Sequence, residues 1–184
     1  MKKNTKLKTA FQFTKNILTT GAIAETSREV EVEITKKIPS APNMTIVEFG
    51  MGHGNITREI LEQMSPDSKL YSFEVKKEFC DHVKNDISDD RLIIVNDGAE
   101  NISKHVKIPV DAIVSSIPFT FFSKEKSELI LGETYKALAK DHYFSQILYS
   151  KIHTKKLEAF FDKCTIVKTS NFPAGFVYHC EKLK

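Results

Sequence analysis

The hydrophobic positions of the chain alternate, from residue 44 onward, between short runs typical of β-strands and longer stretches with helical spacing. The short runs predict strands over residues 44–49, 69–75, 92–95, 110–115 and 143–149. Helical spacing predicts helices over residues 55–64, 76–85, 99–105, 124–139 and 153–161. Two more strands are expected around a turn at residues 171–175. This alternation predicts an α/β fold with a mostly parallel seven-stranded sheet, helices on both faces and one antiparallel strand near the C-terminus.

Before the first strand the pattern is helical. Residues 8–19 place their apolar side chains on one face, and Gly21 ends this predicted helix. A second helix is expected to begin near Thr26 or Ser27 and to include Ile34. We therefore divide the chain into a helical arm or lid over residues 1–40 and one structural domain over residues 41–184.

Composition and charge narrow the class of protein. The 184 residues are 41% hydrophobic and 28% charged, which is typical of one globular domain. Net charge is +3, but residues 1–20 hold five lysines and no acid, which leaves −2 for the rest. The basic character therefore belongs to the arm, which argues for a local basic patch rather than a broad nucleic-acid-binding face.

The cysteines and apolar runs indicate the compartment. Cys80, Cys164 and Cys180 are far apart and odd in number, so we expect neither a metal site nor a disulfide framework. Cys80 and Cys180 are interpreted as small packing residues. No run approaches the roughly 20 apolar residues of a membrane span, and no secretory signal is expected. A cytoplasmic protein without a bound metal is the prediction.

The strongest chemical signal is a glycine-rich loop directly after the first strand. Gly50, Gly52 and Gly54 stand at alternate positions, and Glu48 lies two residues before the first of them. Such a turn lets backbone amides approach a ligand without an intervening side chain. The spacing resembles the motif that binds S-adenosylmethionine (AdoMet) in Rossmann-like methyltransferases, which implies that Glu48 orients the methionine end through the loop amides. The alternative is a strained turn without a ligand.

Acids follow the next two strands as well. Glu74 ends the second strand about 20 residues after the loop, where ribose hydroxyls are commonly held. Asp97, followed by Gly98 and Ala99, ends the third strand, and the methyltransferase resemblance implies that this acid contacts the adenine amine. Each acid alone fits a solvated strand end. Their order at successive strand ends favours AdoMet binding.

The end of the fourth strand carries the candidate catalytic residues. Ser116, Pro118 and Phe119 resemble the polar-x-Pro-aromatic motif of enzymes that methylate amino groups. Ser116 is expected to hold the amine hydrogens, Pro118 to fix the loop, and Phe119 to stack on a base or pack against a cationic head group. Tyr149 is expected to line the far side. The alternative is that Phe119, Phe121 and Phe122 simply pack in the core. For Phe121 and Phe122 we prefer this core position, or an apolar lip of the site.

Further segments resemble one family over nearly the whole chain. Residues 20–24 with Ser27 and Arg28, the stretch Ser115–Pro118, residues 146–149 and residues 171–178 resemble soluble bacterial phospholipid N-methyltransferases, which are class I AdoMet-dependent enzymes. The resemblance implies that Gly21 and Ser115 join the cofactor site. It also implies that the substrate is a lipid amine such as phosphatidylethanolamine, and that S-adenosylhomocysteine is the product.

Two other functions stay open. The same loop and fourth-strand motif are similar to those of the adenine dimethyltransferases of ribosomal RNA, which usually read Asn-Leu-Pro-Tyr where this chain has Ser116 to Phe119. A non-enzymatic AdoMet-binding protein is the third hypothesis. The basic arm is expected either to contact an anionic membrane surface, peripherally on the inner face, or only to cap the pocket.

Overall fold

The computed structural model describes residues 26–170 and 174–184. The expected helix over residues 8–19, Gly21 and residues 171–173 of the expected turn lie outside this part of the chain. The seven predicted strands are present: β1 Thr45–Phe49, β2 Lys69–Phe73, β3 Leu92–Val95, β4 Val110–Ser115, β5 Leu138–Leu148, β6 Lys163–Lys168 and β7 Phe176–Lys182.

The described helices alternate with these strands as expected: α1 Arg28–Thr35, α2 Asn55–Gln63, α3 Lys77–Asp86, α4 Ile102–His105, α5 Lys124–Ala137 and α6 Thr154–Phe160. Short 3-10 turns precede α4, α5 and α6, at Ala99–Asn101, Phe119–Phe121 and Lys151–His153. Helix α5 begins after Ser123 because this residue caps it: the Ser123 hydroxyl accepts from the Lys126 amide at 3.2 Å.

The sheet has the order β3-β2-β1-β4-β5-β7-β6. Strands β1 to β5 pair in parallel, and β7 runs antiparallel to both of its neighbours. The predicted architecture is therefore confirmed. The chain builds outward from β1 to β3 and then crosses to β4 on the other side of β1. Open parallel sheets bind ligands at such a switch point, outside the carboxyl ends of the strands.

Two layers of helices cover the sheet. Val47 and Phe49 of β1 point to one face, where they join a core with α4, α5 and α6. Ile46 points to the other face and packs with Ile34 of α1 and Ile60 of α2. Because β1 is buried on both sides, its sequence after Thr45 is an apolar run broken by Glu48.

Helix α1 is fixed to the body of the domain by polar contacts as well. Glu29 accepts from the Ser170 amide at 2.9 Å, two residues after the end of β6. Glu33 lies 3.2 Å from His179 of β7. The residues of the predicted arm that the structure describes therefore pack on the sheet, next to the strands that form the candidate site.

One boundary differs clearly from the prediction. Helix α5 ends at Ala137, and β5 begins at Leu138 rather than near residue 143. Leu138 pairs with Val110, and the register shifts between Val110 and Ala112. Asp141 takes up the extra length with a φ of 64°. An irregularity of this kind breaks the alternating pattern, so periodicity missed the first half of the strand.

The expectation of no disulfide is wrong. Cys164 of β6 and Cys180 of β7 are joined by a disulfide, with their Cα atoms 4.1 Å apart. The two residues are register partners on neighbouring antiparallel strands. Their separation of 16 residues along the chain gave no sign of this pairing, which the strand register alone creates. Cys80 is free and buried, as expected.

Across the described ranges, no helix is both long and apolar enough to cross a bilayer.

Candidate functional site

The three loop glycines all adopt backbone conformations that side chains rarely allow. Their φ values are 82° for Gly50, 51° for Gly52 and 87° for Gly54. A Cβ on Gly50 would lie 2.9 Å from Ile117 Cγ2 and 3.2 Å from Ser116 Oγ. The loop therefore needs glycine for its conformation and, at Gly50, also for the close approach of the loop that follows β4.

Hydrogen bonds from neighbouring strands hold this loop in place. The Gly50 amide donates to the Phe73 carbonyl at 2.8 Å, and the Gly50 carbonyl accepts from the Ser116 hydroxyl at 2.7 Å. The Gly52 amide lies 3.4 Å from Glu74 Oε2. The segments that follow β1, β2 and β4 thus meet at the switch point of the sheet.

The contact expected of Glu48 is made by another residue. Glu48 points to the α2 face, where Oε2 accepts from Thr57 at 2.7 Å and from Ser72. Its Oε1 is buried without a partner among the described residues. Burial raises the pKa of Glu48 to about 7, against the lowering effect of the Ser72 and Thr57 hydrogen bonds. Glu48 therefore ties β1 to β2 and α2 and makes no contact with the loop amides, because its side chain faces away from them.

Glu74 is the carboxylate that reaches the glycine loop. It is buried, and besides the Gly52 contact its Oε1 accepts from the Lys76 amide at 2.9 Å. The Asn96 side chain donates to the Glu74 carbonyl at 2.8 Å and links this position to the end of β3. A carboxylate held at this edge can accept two hydroxyl hydrogen bonds, as the prediction for the ribose requires.

Asp97 lies at the same edge, held by the turn that follows it. One oxygen accepts from the Gly98 amide and from Asn101, each at 2.7 Å, and the other lies 2.8 Å from His105. These hydrogen bonds, with His105 first, lower the pKa of Asp97 to about 2. Gly98 and Ala99 behind it are buried. The expected adenine contact therefore has a fixed, ionised acceptor.

The residues after β4 divide into one buried and one accessible group. Ser115 is fully buried, and its hydroxyl has no partner among the described residues. Phe119 is 1% exposed and packs edge-to-face on Phe122 at 5.9 Å. Ser116 and Pro118 are half-buried. The expected stacking surface at Phe119 is thus covered in this structure, because its ring faces the core beneath α5.

Ser116 has a defined hydrogen-bonding state. Its hydroxyl hydrogen is committed to the Gly50 carbonyl, so its oxygen lone pairs remain as acceptors. The adjacent Ile117 carbonyl accepts from Nε2 of the Gln146 side chain at 3.0 Å. Tyr149, which follows β5, is 39% exposed at the same edge. Gly21 lies outside the described residues.

Sequence reasoning missed the residues that hold the site together. Ser72 is the register partner of Glu48, and Gln146 is the register partner of Ser115. A polar residue in a buried strand position was the available signal at both places. Nothing in the sequence around Thr57 indicated that its hydroxyl would bond to Glu48. Within residues 26–170 and 174–184, no group of three or more His, Cys, Asp or Glu side chains could hold a metal ion.

Comparison with known proteins supports the same architecture. No family model matches the chain. A curated ornithine lipid N-methyltransferase of Singulisphaera acidiphila is 25% identical over 188 residues, which cover 94% of each chain. A crystal structure described as an rRNA methylase of Streptococcus thermophilus has a TM-score of 0.65 and 18% identity, and covers 88% of this chain and all of that one. The N-methyltransferase NodS of Bradyrhizobium japonicum, solved with S-adenosylhomocysteine, has a TM-score of 0.68 and 10% identity over 89% and 91% of the two chains.

The fold is that of the class I AdoMet-dependent methyltransferases. At 10% and 18% identity, these structural likenesses carry the fold alone.

Proposed function

We propose that this protein is an AdoMet-dependent N-methyltransferase that acts on the amine of a lipid. Gly50, Gly52 and Gly54 would hold the methionine end, Glu74 the ribose and Asp97 the adenine. The residues present fit the cofactor, since the loop at the switch point has three positive-φ glycines and two carboxylates beside it. AdoMet supplies an electrophilic methyl group on a positively charged sulfur.

The acceptor state of Ser116 carries the proposal for an amine. Because the Ser116 hydroxyl already donates to Gly50, its oxygen can only accept from a substrate. An amine with N–H groups supplies the matching donor. A protonated alkylamine has a pKa near that of lysine, about 10.4, and must lose a proton before its lone pair can attack. A site lined by half-buried Ile117 and Pro118 disfavours the charged form and helps to expose that lone pair.

The lipid substrate is supported by similarity along nearly the whole chain. The relative described as an ornithine lipid N-methyltransferase aligns over 94% of both chains. Residues along the chain also resemble phospholipid N-methyltransferases. In this proposal the basic arm, whose first 20 residues lie outside the described part, contacts an anionic membrane surface and places the enzyme peripherally on the inner membrane.

RNA adenine is the second candidate. Two solved chains with this fold are described as rRNA methylases, one from Clostridium thermocellum and one from Streptococcus thermophilus. An adenine acceptor also needs an aromatic surface on which to stack. The buried ring of Phe119 does not offer one without rearrangement, which favours the lipid amine.

The deciding experiment offers total bacterial lipid and total RNA side by side to the protein with radiolabelled AdoMet. We expect label in the lipid fraction. Ser116→Ala should lower kcat about ten-fold, which is the order expected for the loss of one hydrogen bond in a desolvated site, while AdoMet affinity changes little. Label in RNA would overturn the lipid assignment, and an equal loss of AdoMet affinity in the variant would show that Ser116 only supports the glycine loop.

A further inference from the structure

A short segment after β5 has a composition that its surroundings do not explain. Residues 149–156, which we call the β5 cap, comprise the residues between the end of β5 and the middle of α6. Ile152 is 77% exposed, and Tyr149 is also exposed. An isolated exposed isoleucine is ordinary, but this one lies between charged residues of a single sign.

The β5 cap is uniformly basic. It contains Lys151, Lys155 and Lys156 and no aspartate or glutamate. Lys151 Nζ lies 5.2 Å from the ring centre of Phe176, the first residue of β7. Phe176 is in turn the register partner of the exposed Lys168. Lysines and apolar side chains are therefore neighbours on the β5 cap, β6 and β7. This local basic character contrasts with the net charge of −2 that the residues beyond the first 20 carry together.

The position of the β5 cap relates it to the candidate site. β5 runs parallel to β4, and Gln146 of β5 pairs with Ser115, the last residue of β4. The cap therefore begins at the carboxyl edge of the sheet, where Ser116 also lies. A surface that approaches the cap faces this edge.

We propose that the β5 cap is a docking surface for an anionic lipid bilayer, with Ile152 inserted among the acyl chains near the head groups and the lysines paired with acidic lipids. Basic residues that flank apolar side chains are the composition that interfacial anchors use. RNA-binding surfaces instead rely on several aromatic or arginine side chains for stacking. The β5 cap has no arginine and one tyrosine, Tyr149, and its most exposed apolar side chain is the aliphatic Ile152. Docking here turns the site toward the bilayer, so that a lipid amine reaches Ser116 without leaving the membrane. That consequence rests on the proposed function, whereas the docking itself does not.

The first test measures binding of the full-length protein to vesicles of phosphatidylcholine with and without phosphatidylglycerol. We expect Ile152→Asp to weaken binding to the anionic vesicles about ten-fold, and each Lys→Glu change in the β5 cap to weaken it at least about five-fold. Ile108→Asp is the matched control, because Ile108 is 56% exposed, follows Lys107 and lies before β4 at the opposite edge of the sheet. It should bind like the unchanged protein.

A second test reads insertion locally, so that binding through the basic arm cannot hide the effect. Ile152→Cys and Ile108→Cys are each labelled with a polarity-sensitive fluorophore, which is selective because Cys80 is buried and Cys164 and Cys180 are bonded to each other. Anionic vesicles should shift the emission to the blue at position 152 and leave position 108 unchanged. Equal behaviour at both positions would overturn the proposal.

The outcomes separate docking from function. Lipid methylation with no effect of Ile152→Asp on vesicle binding and no blue shift at position 152 would overturn the docking surface and leave the function standing. If Ile152→Asp abolishes vesicle binding but the unchanged protein methylates no lipid, the docking surface stands and the proposed function is overturned. If Ile152→Asp lowers affinity for RNA and not for vesicles, the surface is an RNA contact and the proposal is wrong. Unchanged AdoMet affinity and melting temperature in the variants keep these outcomes interpretable.

Discussion

Glu48 offers the sharpest test of the energetics of the site, because a buried carboxyl should make stability depend on pH. Its raised pKa means that the folded protein keeps the proton up to about pH 7, whereas the unfolded chain loses it near 4.5. The folded state therefore binds the extra proton between these values, and its stability falls as pH rises through this window. At about 1.36 kcal/mol per pKa unit, the full effect is about 3 kcal/mol.

The perturbation is Glu48→Gln, which copies the shape of the protonated carboxyl and keeps a carbonyl oxygen for Thr57 and Ser72. The amide cannot ionise, so the variant should lack the pH-dependent penalty. Relative to the unchanged protein, the variant should gain about 3 kcal/mol in unfolding free energy between about pH 4.5 and about pH 8.

The assay is urea denaturation of both proteins across this range without AdoMet. Glu158→Gln is the control, since it makes the same carboxyl-to-amide change at an exposed position on α6. If the unfolding free energies of the Glu48→Gln variant and the unchanged protein run parallel over the whole range, the buried carboxyl is already ionised at low pH. A raised pKa at Glu48 would then be refuted.

Two further expectations concern the loop and the disulfide. Gly50→Ala should cost about 1–3 kcal/mol in stability and abolish AdoMet binding, because alanine is strained at a φ of 82° and its Cβ meets Ile117. Gly132→Ala should instead stabilise by about 1 kcal/mol, because this helical position has open space up to a ring atom at 3.9 Å; equal effects of the two substitutions in thermal and urea unfolding would contradict the loop argument. Reduction of the disulfide between Cys164 and Cys180 should lower the unfolding free energy by about 3 kcal/mol for a closed loop of 16 residues, and a Cys164→Ser/Cys180→Ser double variant should not respond to dithiothreitol. A urea midpoint of the unchanged protein that ignores reductant would refute this.

The candidate site was predictable where local chemistry requires a residue type. Three glycines at alternate positions after an apolar run indicate positive φ values, and all three have them. Glu74 and Asp97 follow strands that the hydrophobic pattern located, and parallel strands bring their carboxyl ends to one edge. That they hold ribose and adenine stays a prediction.

The partners of these residues were not predictable in the same way. Glu48 precedes the glycine loop in sequence, yet it bonds to Thr57 and Ser72 because the pleat of β1 turns it to the α2 face. Phe119 reads as a stacking residue by motif, but the turn after Pro118 places its ring in the core. The motif specifies which residue types are present, and the surrounding packing determines which way their side chains point.

The sequence by itself determined the order of strands and helices, the glycine loop and the separation of charge between the basic arm and the domain. These features depend on periodicity, φ requirements and composition, all of which are local. Only the tertiary structure decided which residues meet across strands: Ser72 with Glu48, Gln146 with Ser115, and Cys164 with Cys180. Such pairs depend on strand order and register, which are set by the packing of the whole sheet, and a shift of one residue would turn each side chain to the opposite face.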